Sequence, residues 1–249
     1  MKKNMISIIT PIAYDYKYAF NSIACYYNIA DEIILGLDRD RISWSNNLYK
    51  FDDNKFFDTI HKLDTENKIS VIQDNFHLYE SPIHNDTYER NFLSNSCKQG
   101  NWIIQIDSDE YLLNPKEFAT WLNNTDTNFD IHAEWITVYK VIGDHCLIIN
   151  EPNNSIPIGT MTRNSYVSCR DTQKRNLKSN AKLLHYSWGR SRDELLVKLK
   201  NWGHSKDFDT QKYLDIWDLI NLENYTQLKN FHPLYGPYWR NLQALHLKL

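Results

Sequence analysis

The chain has 249 residues, 42% of them apolar, enough for a substantial core and too many for wholesale disorder. Its 28 Lys+Arg against 31 Asp+Glu leave a net charge of −3, a near balance that argues against a dedicated nucleic-acid binder. Aromatic residues reach 14%, with 16 Tyr and 8 Trp, side chains suited both to cores and to stacking on sugar rings or bases.

Ile6 to Thr10 reads as a buried strand ended by Pro11. Phe20, Ile23, Ala24 and Tyr27 fall at i, i+3, i+4 and i+7, so the spacing predicts a helix over 17–29. Glu32 to Gly36 is a second short strand, with Asp38-Arg39-Asp40 at its end. A helix over 53–64 carries Phe56, Phe57, Ile60 and Leu63, and Ile69 to Ile72 is a third strand. Residues 86–99 read as helix and Trp102 to Ile106 as a fourth strand. This alternation predicts an α/β fold with a mostly parallel sheet flanked by helices.

Beyond residue 113 the pattern changes. Pro115 opens a short helix to Leu122, residues 131–141 alternate as a strand, and Cys146 to Ile149 is its hairpin partner in a smaller sheet. Residues 150–182 are loop-rich. Ser191 and Glu194 form a capping box ahead of Leu195, Leu196, Leu199 and Trp202. Lys198 and Lys200 lie late in that helix, where its dipole favours cations. With no Gly/Ser/Pro linker, we expect one domain over 1–205, in halves 1–113 and 114–205, and a helical C-terminal extension, 206–249, packed on it.

No stretch approaches the ~20 apolar residues of a membrane span. The apolar run after Lys2 and Lys3 is too short for a signal peptide. Arg240 and Lys248 are too few basic residues to make a strong membrane surface. Cys25, Cys97, Cys146 and Cys169 are scattered and read as reduced thiols of a cytoplasmic protein.

The chemistry sits where a buried strand, Ile103-Ile104-Gln105-Ile106, runs straight into Asp107-Ser108-Asp109-Glu110. Ligands of open parallel sheets bind beyond the carboxyl ends of strands. Two carboxylates there, one residue apart, meet a hard divalent cation, Mg²⁺ or Mn²⁺, that bridges to a diphosphate.

Four features together resemble the GT-A glycosyltransferases, particularly those related to glycosyltransferase family 2. They are Thr10-Pro11 after the first strand, Asp38 after the second, Arg90-Asn91 on the preceding helix, and Gly100-Asn101-Trp102 leading into the Asp-x-Asp strand. The resemblance covers residues 5–205. It departs at Leu37-Asp38-Arg39-Asp40, where the family often has Asp-Gly-Ser. It implies a GT-A, Rossmann-like fold and metal-dependent transfer of a sugar from a nucleotide sugar, in the first place a UDP-sugar. The acceptor is a hydroxyl of a glycan or lipid-linked saccharide. Transfer proceeds with inversion, in surface polysaccharide biosynthesis, with at most peripheral contact at the inner membrane face. Thr10, Pro11, Asp38, Arg90, Asn91 and Asp107 are then nucleotide-binding residues. Asp107 and Asp109 are metal residues, joined by a late histidine, His185.

An inverting enzyme also needs a general base. Glu134 and Asp171 are the candidates, with Asp144 and Glu151 behind them. Tyr186 and Trp188 either shape a sugar pocket or pack, and Trp135 is a further stacking candidate. His204, after Gly203, reads as structural, and His61, His77 and His84 as surface residues. Lys174 and Arg175, with Arg170 and Lys178, read as a solvated basic loop. Two other functions compete. A nucleotidyltransferase on a related fold needs a Gly-rich basic loop after the first strand, but residues 10–18 contain neither Gly nor Arg. A non-catalytic glycan-binding module would have no need of Asp107 and Asp109.

Overall fold

The computed structural model describes residues 4–236 and 238–246; Lys2, Lys3 and Lys248 lie outside them. Four strands, β1 (Ile6–Ile12), β2 (Glu32–Asp38), β3 (Ile69–Asp74) and β4 (Trp102–Gln105), form a parallel sheet in the order β4-β1-β2-β3. β1 is buried along its whole length because it is central and covered on both faces, which is why it reads as an unbroken apolar run. Fully buried Ile8, Ile9 and Ile33 each contribute roughly 1.5–3 kcal/mol through burial.

Three helices connect these strands: α1 (Tyr16–Tyr26), α2 (Asp53–Leu63) and α3 (Pro82–Ser96). α1 turns Ala19, Ile23 and Tyr26 into the core. α2 starts where the Asp52 side chain accepts the Lys55 N–H at 3.0 Å, and it buries Phe56 and Ile60. α3 begins with Pro82 in its first turn and differs in kind. Its buried residues include Asn85, Asp86, Glu89 and Arg90 beside Leu93, because this face borders a cleft rather than a dry core.

The second half overturns one expectation: the sheet is not mostly parallel. β5 (Glu110–Leu112) and α4 (Pro115–Leu122) precede β6 (Asp130–Ile142), β7 (His145–Asn150), β8 (Ser155–Thr160) and β9 (Asn176–His185). The β1–β2, β1–β4, β2–β3 and β6–β9 pairings are parallel. The β4–β8, β5–β9, β6–β7 and β6–β8 pairings are antiparallel, as is that of β7 with β10 (Asn241–His246). The reason is connection length. β6 and β7 are joined by two residues, with Gly143 at φ +58°, and such a hairpin can only run antiparallel. The 17 residues from the end of β4 to the end of α4, 106–122, bring no further parallel crossover back to the central strands.

The C-terminal segment is not only helical. α5 (Arg192–Asn201) and α6 (Thr210–Leu219) are followed by β10 (Asn241–His246), which pairs with β7 at the far edge of the sheet. Tyr213, Leu214, Trp217, Ile220 and Leu242 close a second core around Tyr139, Leu147, Trp188, Leu195 and Leu199. Trp188, 1% exposed, is therefore a core residue. The four cysteines are free thiols.

The predicted capping box forms. Ser191 Oγ accepts the Glu194 N–H, and Glu194 Oε2 accepts the Ser191 N–H at 3.0 Å. Ser191→Ala removes one reciprocal bond and should cost about 1 kcal/mol, which lowers the melting temperature by roughly 2–4 °C. An unchanged melting curve would show that α5 is held by packing alone.

Candidate active site

A cleft of about 780 Å³ opens beyond the carboxyl ends of β1, β2 and β4. From β1 the chain proceeds to β2 and β3 on one side, and β4 lies on the other, so the gap between β1 and β4 is the switch point of the sheet. Residues 11–15, at the end of β1 and just past it, and 107–110 after β4 line the cleft there.

Each carboxylate of the Asp-x-Asp pair is held by cations from elsewhere in the chain. Arg90 on α3 donates from both terminal nitrogens to Asp107, at 2.9 and 3.1 Å. Arg170 reaches Asp107 Oδ2 at 2.7 Å and Glu110 Oε2 at 2.8 Å. Glu110, 1% exposed, also accepts the Asp107 N–H at 2.9 Å. Asp109 Oδ2 meets Arg190, His185 Nε2 at 3.5 Å and Lys198 Nζ at 3.7 Å. Arg190 also bonds Asp15 at 2.8 Å, and the Ser108 hydroxyl donates to Asp15 at 2.8 Å.

These contacts set the protonation states. Burial alone would raise both aspartates, but Arg170 and Arg90 hold Asp107, and His185, Arg190 and Lys198 hold Asp109, well below the usual carboxylate range. Burial, with Arg190 nearby, pushes the Lys198 ammonium down to about 8 against the pull of Asp109. The Asp107 side chain remains 30% exposed, so it is the accessible member of the pair.

Local backbone features deliver these groups. Cys169 stands at φ +48°, its N–H bonded to Thr87 Oγ1 at 2.8 Å, and this turn aims Arg170 inward. Asn91 brackets Tyr166 by donating to its carbonyl (2.8 Å) and accepting its N–H (2.9 Å), which pins the same loop. Gly189 lets the strand end pass β6: a Cβ there would stand 2.3 Å from Val138 Cγ1. Arg190 follows directly.

The cleft gathers Pro11, Asp38, Arg90, Asp107, Asp109, Asp171 and His185 of the expected set. Three residues fall elsewhere. Thr10 Oγ1 bonds Tyr26 OH at 2.9 Å in the core, and Asn91 is occupied by the 162–171 loop. Glu134 pairs with Lys182 at 3.8 Å away from the cleft, because strand alternation gives the cleft to Trp135 and Thr137. Asp144 pairs with His145 and His246 at the far sheet edge. Trp135 stacks on His185, centroids 4.6 Å apart. Tyr186 packs edge-on against Tyr111 outside the cleft.

Three residues were misread from sequence. Arg170, read as part of a solvated loop, is buried; Lys198, read only as a late helix charge favoured by the dipole, is 5% exposed and serves the cleft. His77 is not a free surface residue: its Nδ1 lies 2.7 Å from Asp38 Oδ2. No periodicity signals such side chains, because each is buried by a charge and not by apolar packing. Asp38, Asp40 and His77 place ligand atoms within 4.8 Å of one another. Among the described residues this is the one group of three such ligands, and it is able to hold a metal ion.

No protein-family model matches the sequence, and no curated protein matches it. No helix among the described residues is long and apolar enough to cross a membrane.

Proposed function

We propose that the protein is a glycosyltransferase that moves a sugar from a nucleoside-diphosphate donor to a hydroxyl of a glycan or lipid-linked acceptor, in the cytoplasm. The observation that carries this reading is the Asp-x-Asp pair at the switch point, set among four cations and opening into a cleft large enough for a nucleotide sugar. A binding module has no use for so costly an assembly of buried charge.

The donor chemistry fits a divalent cation. A carboxylate oxygen and an imidazole nitrogen 3.5 Å apart, Asp109 Oδ2 and His185 Nε2, suit Mn²⁺ or Mg²⁺. Asp109 and His185 would hold the ion, while Asp107, taken by two guanidiniums, would face its water shell and the ribose. Such an ion supplies Lewis-acid neutralisation of a leaving diphosphate. The protein's own cations add to this. Arg190 and Lys198 sit on the same carboxylate and present positive charge where the leaving group accumulates negative charge. Of the base candidates, Asp171 lines the cleft with one oxygen occupied by the Gln173 N–H, and it would accept the acceptor's hydroxyl proton. Exposed Tyr235 and Tyr238 on the cleft rim suit stacking against an acceptor sugar.

The direct experiment is a panel of nucleoside-diphosphate sugars with Mn²⁺, following nucleotide release and nucleotide binding. Release from at least one donor, abolished by a chelator, is the expected result. Absence of both binding and release across the panel would sink the reading.

A further inference from the structure

β6 and β9 run parallel, and their register sets Trp135 beside Leu183 and Thr137 beside His185. Side chains alternate along a strand, so Trp135, Thr137 and His185 share one face, and all three line the cleft. The rings of Trp135 and His185 stack there, with centroids 4.6 Å apart and planes within 11° of parallel. Among the described residues this is the one face-to-face ring pair; contacts such as Phe20 on Phe56 and Tyr111 on Tyr186 are tilted or edge-on.

The indole is itself fixed. The Trp135 N–H donates to the Asn154 carbonyl at 3.0 Å, and Asn154 Nδ2 donates to the Trp135 carbonyl at 2.8 Å, so the turn between β7 and β8 brackets the residue. Its ring packs against the main core, as that of Ile156 does through its aliphatic side chain.

His185 lacks what a metal-binding imidazole ordinarily has. Such a ring donates its second N–H to a carboxylate, a carbonyl or water, and that bond fixes its tautomer and its orientation. His185 Nε2 faces Asp109 Oδ2 at 3.5 Å, but Nδ1 is buried and meets no hydrogen-bond partner among the described residues. Hydrogen bonding therefore touches the ring only at Nε2, the atom a metal ion would take. The ring torsion of a histidine is broad when nothing restrains it. The cost of ordering it would then be drawn from the binding of the ion.

We propose that Trp135 is the positioning residue of the metal site: its indole face, in place of a hydrogen bond to Nδ1, sets the plane of His185 so that Nε2 is aimed at Asp109. The inference rests on the metal-dependent transferase reading and deepens it. It gives Trp135 a task other than stacking on a sugar.

The test is Mn²⁺ binding to the full chain in the presence of UDP, followed by loss of the free-ion signal in electron paramagnetic resonance, which requires no turnover. Trp135→Leu and Trp135→Ile keep an apolar contact with the core but offer no flat face. Either, with its fold checked by melting, should weaken Mn²⁺ binding by about tenfold or more, the scale on which the partners of metal ligands are felt. Trp135→Phe keeps a face for the imidazole and should bind Mn²⁺ close to wild type. His185→Ala supplies the reference: in that background the loss of Trp135 should weaken binding no further, because the ring it holds is gone. An equal loss with and without His185 would mean that Trp135 only supports the shape of the cleft, and overturns the inference. Mn²⁺ affinity unchanged in Trp135→Leu and Trp135→Ile overturns it too, even if KM for the nucleotide sugar rises. So does Mn²⁺ binding unchanged in His185→Ala. In these three cases the transferase reading stands. A wild-type chain that binds no Mn²⁺ with UDP overturns the metal-dependent reading and the inference together.

Discussion

Asp109→Asn should lower turnover of the nucleotide sugar by about 100-fold or more, the scale at which removal of a transition-state charge contact is felt. The substitution is nearly isosteric but takes the negative charge from a carboxylate whose Oδ2 meets Arg190, His185 and Lys198. Arg190 retains Asp15 as a partner, so the fold has a second anchor for its guanidinium. The informative readouts are kcat and the dependence of rate on Mn²⁺ concentration, with a melt as control. A rate within tenfold of wild type, with the same Mn²⁺ dependence, would remove Asp109 from the chemistry. The pH profile offers a further check. Asp107 and Asp109 are held well below their ordinary values, so they stay ionised throughout the neutral range. What they contribute to stability is present above an unfolded value of about 3.9 and is lost as pH falls below it. An acid limb of activity between pH 5 and 7 must come from another group.

Arg170→Met is the larger threat to stability. Arg170 is 6% exposed and holds Asp107 and Glu110 together, and Glu110 is the more deeply buried of the two carboxylates. Breaking a buried ion pair from one side leaves uncompensated charge and costs about 3–5 kcal/mol. For a domain of this size that is a fall of roughly 10 °C in melting temperature. Adding Glu110→Gln to Arg170→Met should restore part of the loss, because the orphaned charge disappears with it. Strictly additive losses in the double variant would show that Arg170 is not compensating Glu110.

How much of this was legible before the coordinates follows from what each residue is buried against. β1, β2 and β4 are enclosed by apolar neighbours, so their Ile-rich runs announce them, and β4 delivers Asp107 and Asp109 where the run stops. α3 carries a mixed buried face, with Glu89 and Arg90 turned to the cleft, and pattern alone places its start four residues late. β10 has only Leu242 buried, so its short alternation is lost among the aromatics of the C-terminal segment. Arg170 and Lys198 are invisible for a different reason: nothing in residues 165–200 says that a basic side chain will be neutralised by carboxylates sixty or ninety positions earlier. The parallel sheet was over-extended because short connections after β5 force antiparallel neighbours. Glu134 failed as a cleft residue by the parity of a single strand position.

The origin of the counter-ions bears on how this architecture can be recombined. Asp107, Asp109 and Glu110 belong to the half that builds the parallel sheet, yet Arg170, Arg190 and Lys198 arrive from the half that follows. A boundary near residue 113 is therefore a seam in topology but not in charge. Exchanging the second half for another module would strand Asp109 and Glu110 and leave Asp107 to Arg90 alone, unless the incoming segment carried cations at matching depths. Diversification of such a chain is confined to the parts that share none of these pairs: the rim of the cleft, with Tyr235 and Tyr238, and the wall around Trp44 and Glu89.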